Sequence, residues 1–209
     1  MKLSAALLTL GLVPLAQVAL AQSTSDPTLA GAAAFAGPKL GIAGDYELNQ
    51  VRRAAPGLDS GVNKRQGGIG YLGYAGYDVA LGTQLLAGVE LGIGKGGKTL
   101  GEGLSGGTFS SRPGLSIDIS GRAGVVLAEN MLLYGRAGYA RQSVRDTTNF
   151  TSPGQASIKE KRTDGGFIYG VGVELAVSER IALRAELDQS YFSKRYISDR
   201  VLLGFVVHL

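Results

Sequence analysis

From about residue 39 onward, apolar side chains alternate with small or polar ones at a period of two. The clearest stretch is Leu115-Ser116-Ile117-Asp118-Ile119-Ser120-Gly121-Arg122-Ala123-Gly124-Val125. Successive side chains of a strand point to opposite faces. Leu115, Ile117, Ile119, Ala123 and Val125 therefore share one face, and Ser116, Asp118, Ser120 and Arg122 the other. Eight such segments are expected, at 39–51, 68–79, 85–94, 115–127, 131–144, 166–177, 181–191 and 200–209. Each has about the 9 to 11 residues that a tilted strand needs to cross a bilayer.

The apolar face recurs as Leu40, Ile42, Tyr46 and Leu48, as Val89, Leu91 and Ile93, as Phe167, Tyr169, Val171, Val173 and Leu175, and as Ile181, Leu183, Ala185 and Leu187. Asp45, Glu47, Glu90, Glu174, Arg184, Glu186 and Asp188 fall on the opposite face. A soluble sheet would bury the apolar face in a core, whereas a barrel strand in lipid turns it outward and keeps the charges inside. The second segment is ambiguous, because Tyr71 and Tyr77 have one parity and Leu72 and Tyr74 the other.

The links alternate in length. Those at 80–84, 128–130 and 178–180 are brief, while those at 52–66, 95–114, 145–165 and 192–199 are longer and rich in Gly, Ser, Pro and charge. Transmembrane barrels have short periplasmic turns and longer extracellular loops, so both ends of the barrel are expected in the periplasm. The fold class is all-β: an eight-stranded antiparallel transmembrane β-barrel. Closure is the only strand arrangement that pairs every backbone polar group in hydrocarbon. Many of the 33 glycines lie inside strands, including Gly70, Gly88, Gly92, Gly170 and Gly172, where they permit curvature and make room for large inward side chains.

The first residues fix the compartment. Lys2, the apolar run at 3–20 and Ala19-Leu20-Ala21 have the layout of a secretory signal peptide, expected at 1–21. Residues 22–37, Ala-rich and of low complexity, are expected as a flexible periplasmic lead-in, and 38–209 as the barrel domain. The formal charge of +4 becomes +3 on loss of Lys2, and the absence of Cys rules out both disulfides and lipid attachment to a cysteine.

Two stretches carry a family likeness. One is Gly166-Phe167-Ile168-Tyr169-Gly170-Val171-Gly172-Val173-Glu174-Leu175 turning into Ile181-Ala182-Leu183-Arg184-Ala185-Glu186-Leu187. The other is Ile119-Ser120-Gly121-Arg122-Ala123-Gly124 with Met131-Leu132-Leu133-Tyr134-Gly135-Arg136-Ala137-Gly138-Tyr139-Ala140. In these the chain resembles the OmpA-like, opacity-type outer-membrane barrels of Gram-negative bacteria, over about 39–209. The resemblance implies residence in the cell outer membrane and assembly by the barrel machinery through the last strand. That strand ends Phe205-Val206-Val207-His208-Leu209, where such barrels usually end in an aromatic residue, so slower assembly is expected.

Candidate chemistry is sparse. Gly92-Ile93-Gly94-Lys95-Gly96-Gly97-Lys98-Thr99 matches the phosphate-binding loop formally, but no helical period follows to converge amides on a phosphate, so nucleotide binding is not expected. His208 is the sole histidine, lies at the periplasmic end and has no serine and carboxylate beside it in its strand, so no catalytic site, metal site or cofactor is expected. Glu90, Asp118, Arg122, Arg136, Glu174, Arg184 and Glu186 would face a lumen barely wide enough for its own side chains and are expected to form an ion-pair network.

The long links are basic. Candidate loop contacts are Arg52, Arg53, Lys64, Arg65, Lys95, Lys98, Lys161 and Arg162, and Arg112, Arg145 and Lys159 add to the bias. Phosphorylated lipopolysaccharide is their expected partner, beside outer-membrane lipid. Charges split over four links without an aromatic platform do not suit nucleic acid. The expected role is that of a monomeric structural and surface protein, contributing envelope integrity and loop contacts in adhesion or with lipopolysaccharide. The alternative is a narrow, low-conductance, porin-like channel.

Overall fold

The computed structural model describes residues 31–54, 61–152, 154–193 and 196–209, without the side chains of 51–54, 61–64, 193 and 196. The expected signal peptide and the first part of the lead-in lie outside the described residues. Nine strands follow in order: β1 (Gly37–Ala54), β2 (Gly61–Ala80), β3 (Leu85–Lys95), β4 (Leu100–Leu104), β5 (Gly107–Ala128), β6 (Met131–Phe150), β7 (Ile158–Ala176), β8 (Ile181–Ser193) and β9 (Tyr196–His208). All neighbours are antiparallel, and the ring closes through β1 on β9 and β3 on β5. The short β4 pairs only with β5, above the β3 pairing, so it is the interrupted upper end of the third stave. The barrel thus has eight staves.

Parity follows the hydrophobic pattern. Ile42, Ile69, Val89, Ile117, Phe167, Val171, Leu187 and Leu203 are exposed on the outer surface, while Glu90, Arg122, Arg136, Glu174, Arg184 and Glu186 are buried. On β2, the ambiguous strand, Ile69, Tyr71, Tyr77 and Val79 turn outward and Leu72 and Tyr74 inward. Along β5 the outward apolar run from Leu115 to Leu127 covers about 30 Å of membrane normal at a strand tilt of about 40°. Tyr46, Tyr71, Tyr139, Phe167, Tyr169 and Tyr191 are exposed on the outer half of this surface. Tyr139 meets Phe167 edge-on and Tyr169 stacks on Tyr191, an aromatic belt built without Trp.

Two expectations require correction. The first concerns the extracellular links, which are largely strand. β1 runs on to Ala54 and β2 starts at Gly61, β5 starts at Gly107, β6 ends at Phe150 and β7 starts at Ile158. Arg52 and Arg53 of β1 and Lys64 of β2 therefore lie in paired backbone, with their side chains outside the described residues. Above the lipid the outer face meets water and is polar, while the inner face mixes Phe109 and Val144 with Ser111 and Asp146, so the period that betrays a strand lower down is lost. The second concerns the end of the expected lead-in. Residues Gly31–Phe35 form a 3-10 turn, with Gly31 at φ 74 and the Ala32 amide donating to the Thr83 carbonyl at 2.8 Å. Ala32 and Phe35 are fully buried against Leu86, Val126, Leu132 and Tyr134, so the turn corks the periplasmic mouth.

Candidate functional site

The lumen is filled in layers. Above the periplasmic cork lies a second apolar group of Ala43, Leu72, Tyr74, Ala182, Leu202 and Val206, and near the outer mouth a third of Leu100, Phe109, Ala140, Ile168 and Phe192. Between the ends lies an ionic layer. Arg122 on β5 reaches Asp78 on β2 at 2.5 Å and Glu174 on β7 at 2.6 Å. Arg184 on β8 donates to Glu90 on β3 at 2.7 and 2.9 Å and also pairs with Glu186. Arg136 on β6 holds Asp118 on β5 and lies 3.0 Å from Glu186. Lys39 on β1 bridges Asp78 and Glu90 at 3.2 and 3.1 Å. Arg200 on β9 pairs with Asp188 on β8 at 2.5 Å. Every stave contributes, and most bridges join strands that are not neighbours in the sheet. The layer therefore ties the barrel across its width.

Two tyrosines complete the packing by crossing glycines. Tyr74 on β2 lies over Gly41 on β1 and donates to the Phe205 carbonyl on β9 at 3.2 Å. Tyr134 on β6 lies over Gly172 on β7 and donates to Glu186 on β8 at 2.5 Å. A Cβ at Gly41 or Gly172 would fall 2.2 or 2.3 Å from the tyrosine above it. The Arg184 guanidinium lies 4.3 Å from the Tyr74 ring centre and 5.3 Å from that of Tyr134, on whose ring Arg122 also packs at 4.7 Å. These contacts add cation–π attraction in a site closed to water.

All seven network residues expected from the sequence meet in this layer. Lys39, Asp78, Asp188, Arg200, Tyr74 and Tyr134 were not in that set. The parity of Lys39 and Asp188 was readable, whereas Asp78 and Tyr74 sit on the ambiguous β2. Above the layer a cavity of about 20 Å³ lined by Asp45, Glu47, Asp118 and Arg200 is the size of about one water molecule. His208 packs edge-on against Phe35 at 6.0 Å between ring centres, and neither ring nitrogen has a hydrogen-bond partner among the described residues.

The segment resembling a phosphate loop is followed by strand β4, not by a helix. Gly96 and Gly97 instead fold inward beside Asp45, Glu47 and Asn49, roofing the polar half of the lumen. Of the other candidate loop contacts, Lys95, Lys98 and Lys161 are exposed. Arg65 is exposed and held by Asp199 at 3.1 Å. Arg162 turns inward to Asp146, at 3.0 Å, and Asp164, so its charge is neutralised within the barrel wall.

The family model described as "Outer membrane protein beta-barrel domain" matches residues 5–208. The chain belongs to this family. It is an outer-membrane protein, as its outward apolar belt requires. A 22 kDa outer membrane protein of Rhizobium leguminosarum bv. viciae is 29% identical over 188 residues, 84% of this chain and 79% of the relative. Neisserial surface protein A superposes with a TM-score of 0.53 at 17% identity, covering 83% of this chain and 98% of that one. The attachment invasion locus protein of Yersinia pestis, solved with the heparin analogue sucrose octasulfate, superposes with a TM-score of 0.50 at 13% identity, covering 82% and 98%. These two likenesses concern the barrel fold.

Proposed function

We propose that this family member is a plugged, non-enzymatic structural barrel that supports envelope integrity and offers its outer rim to lipopolysaccharide or an adhesion ligand. The carrying observation is the ionic layer with apolar groups at both mouths, which among the described residues fills the lumen with buried side chains. The surface reading has support from exposed rim cations, and two fold neighbours are a surface protein and an attachment protein by name. We further propose that the outer apolar edge of β9, formed by Val201, Leu203, Phe205, Val207 and Leu209, is what the assembly machinery engages, and that the barrel works as a monomer.

Planar-bilayer conductance of the refolded protein tests the plug, run beside Glu174→Gln and Arg184→Ala after heat-modifiable gel mobility has verified folding. Silence in the unsubstituted protein supports the plug. Discrete openings there, altered in either variant, would replace it with the narrow channel, and the surplus of buried carboxylates over buried cations makes cation selectivity the expected signature of that case.

A further inference from the structure

Lys95 of β3, Arg112 of β5, Arg145 of β6 and Lys161 of β7 all point outward and are exposed. They line one open groove of about 380 Å³, together with Pro113, Gly114, Leu115 and Ser143. Arg112 lies directly opposite Arg145 in register, and Arg145 directly opposite Lys161. Like charges facing one another across a ladder destabilise it, and among the described residues none of the four has a carboxylate partner. Glu160 and Asp146, neighbours in sequence, face each other on the opposite side of the ladder.

The level of the groove identifies what would relieve that repulsion. Leu115, the first residue of the outward apolar run of β5, forms its floor, and Ile117 and Ile119 continue below. A β-bulge between Pro113 and Ser116 reverses the parity of β5. That reversal is why Arg112 and Leu115, three residues apart, share the outer face. The cations therefore sit where hydrocarbon gives way to headgroups, over an acyl-accessible wall. Across the barrel the corresponding cation, Arg65, is already paired to Asp199.

We propose that this groove is a seat for the phosphates of one lipid A molecule of the outer leaflet, with its acyl chains lying against Leu115, Ile117 and Ile119. The two guanidinia suit bidentate phosphate binding and the two ammonium groups add point charges. This inference rests on the surface reading above and specifies its partner.

The test is binding of bisphosphorylated lipid A to the folded protein in detergent, read by native mass spectrometry, for the unsubstituted chain, Arg112→Gln/Arg145→Gln/Lys161→Gln, and the periplasmic-turn control Arg180→Gln. Heat-modifiable mobility confirms that each variant folds. Expected are at least a tenfold loss in the triple variant, none in the control, and weaker binding of monophosphoryl lipid A. Equal binding by triple variant and unsubstituted chain would overturn the seat, and so would equal affinity for inorganic phosphate or for a soluble sulfated glycan, since neither has acyl chains. Loss of the seat with a silent barrel refutes this inference alone, whereas a conducting barrel refutes the plug and leaves the binding result standing.

Discussion

At Tyr134 and Tyr74 the barrel meets one packing problem twice. Each ring must cross an intervening strand to reach a partner two staves away, and it can do so only where that strand lacks a side chain on the inner face. Gly172 and Gly41 supply that absence, which is why glycine inside these strands strengthens the barrel where it would weaken an open sheet. Gly172→Ala should therefore destabilise the folded barrel by about 1–3 kcal/mol, the usual cost of overpacking. Urea unfolding in lipid vesicles would measure it. Gly172→Ala combined with Tyr134→Ala should recover part of the loss that the glycine substitution adds, whereas full additivity of the two would show that the ring and the new methyl do not meet.

At the scale of the element, the strand period was legible wherever one face met lipid, and it faded elsewhere for identifiable reasons. The inward set Glu90, Asp118, Arg122, Arg136, Glu174, Arg184 and Glu186 was readable because each lies between outward apolar or small neighbours, Gly and Ala in the case of Arg122 and Arg136. Asp78 was not, because glycine and tyrosine occupy both parities of β2. Arg112 and Arg145 read as loop charges because the lipid no longer imposes alternation above the belt, and because the parity count carried up from Leu115 would place Arg112 inside until the bulge at 113–116 reverses it. The buried turn Gly31–Phe35 had no signal at all, since its Ala-rich composition resembles a linker and its burial depends on the far-off Leu86, Val126 and Leu132. The bulge gives a prediction of its own. Deleting Gly114 alone removes the extra residue and leaves Phe109 inward and Arg112 outward, whereas deleting Pro113 with Gly114 should join Arg112 to the outward Leu115, turning Phe109 out to solvent and Arg112 inward. The extension formed by β4 and the upper ends of β5 and β6 should then open to trypsin after Arg112 and Arg145, while heat-modifiable mobility of the belt persists. An unchanged digestion pattern in the two-residue deletion would show that the spacing between Arg112 and Leu115 does not set which face the extension presents.

For the whole molecule the decisive contrast is between charges shut inside the wall and charges left on its rim. Arg122, Arg136 and Arg184 are buried with their carboxylates and tie non-neighbouring staves together. Salt reaches such pairs poorly, whereas at physiological ionic strength it screens exposed charges beyond about 8 Å. Removing one buried partner leaves the other uncompensated, at a cost of about 3–5 kcal/mol. Unfolding free energy should thus be nearly flat with added salt, changing by less than about 1 kcal/mol between about 0.05 and 1 M NaCl, yet drop steeply in Arg184→Ala. Lipid A binding to the groove of Lys95, Arg112, Arg145 and Lys161 should fall over the same salt range. Denaturant titrations and binding measured in one salt series would separate the two classes of charge. A barrel whose stability tracked salt as strongly as its lipid binding would mean that water and ions enter the lumen, and the plug would then have to be abandoned for a hydrated, ion-accessible interior.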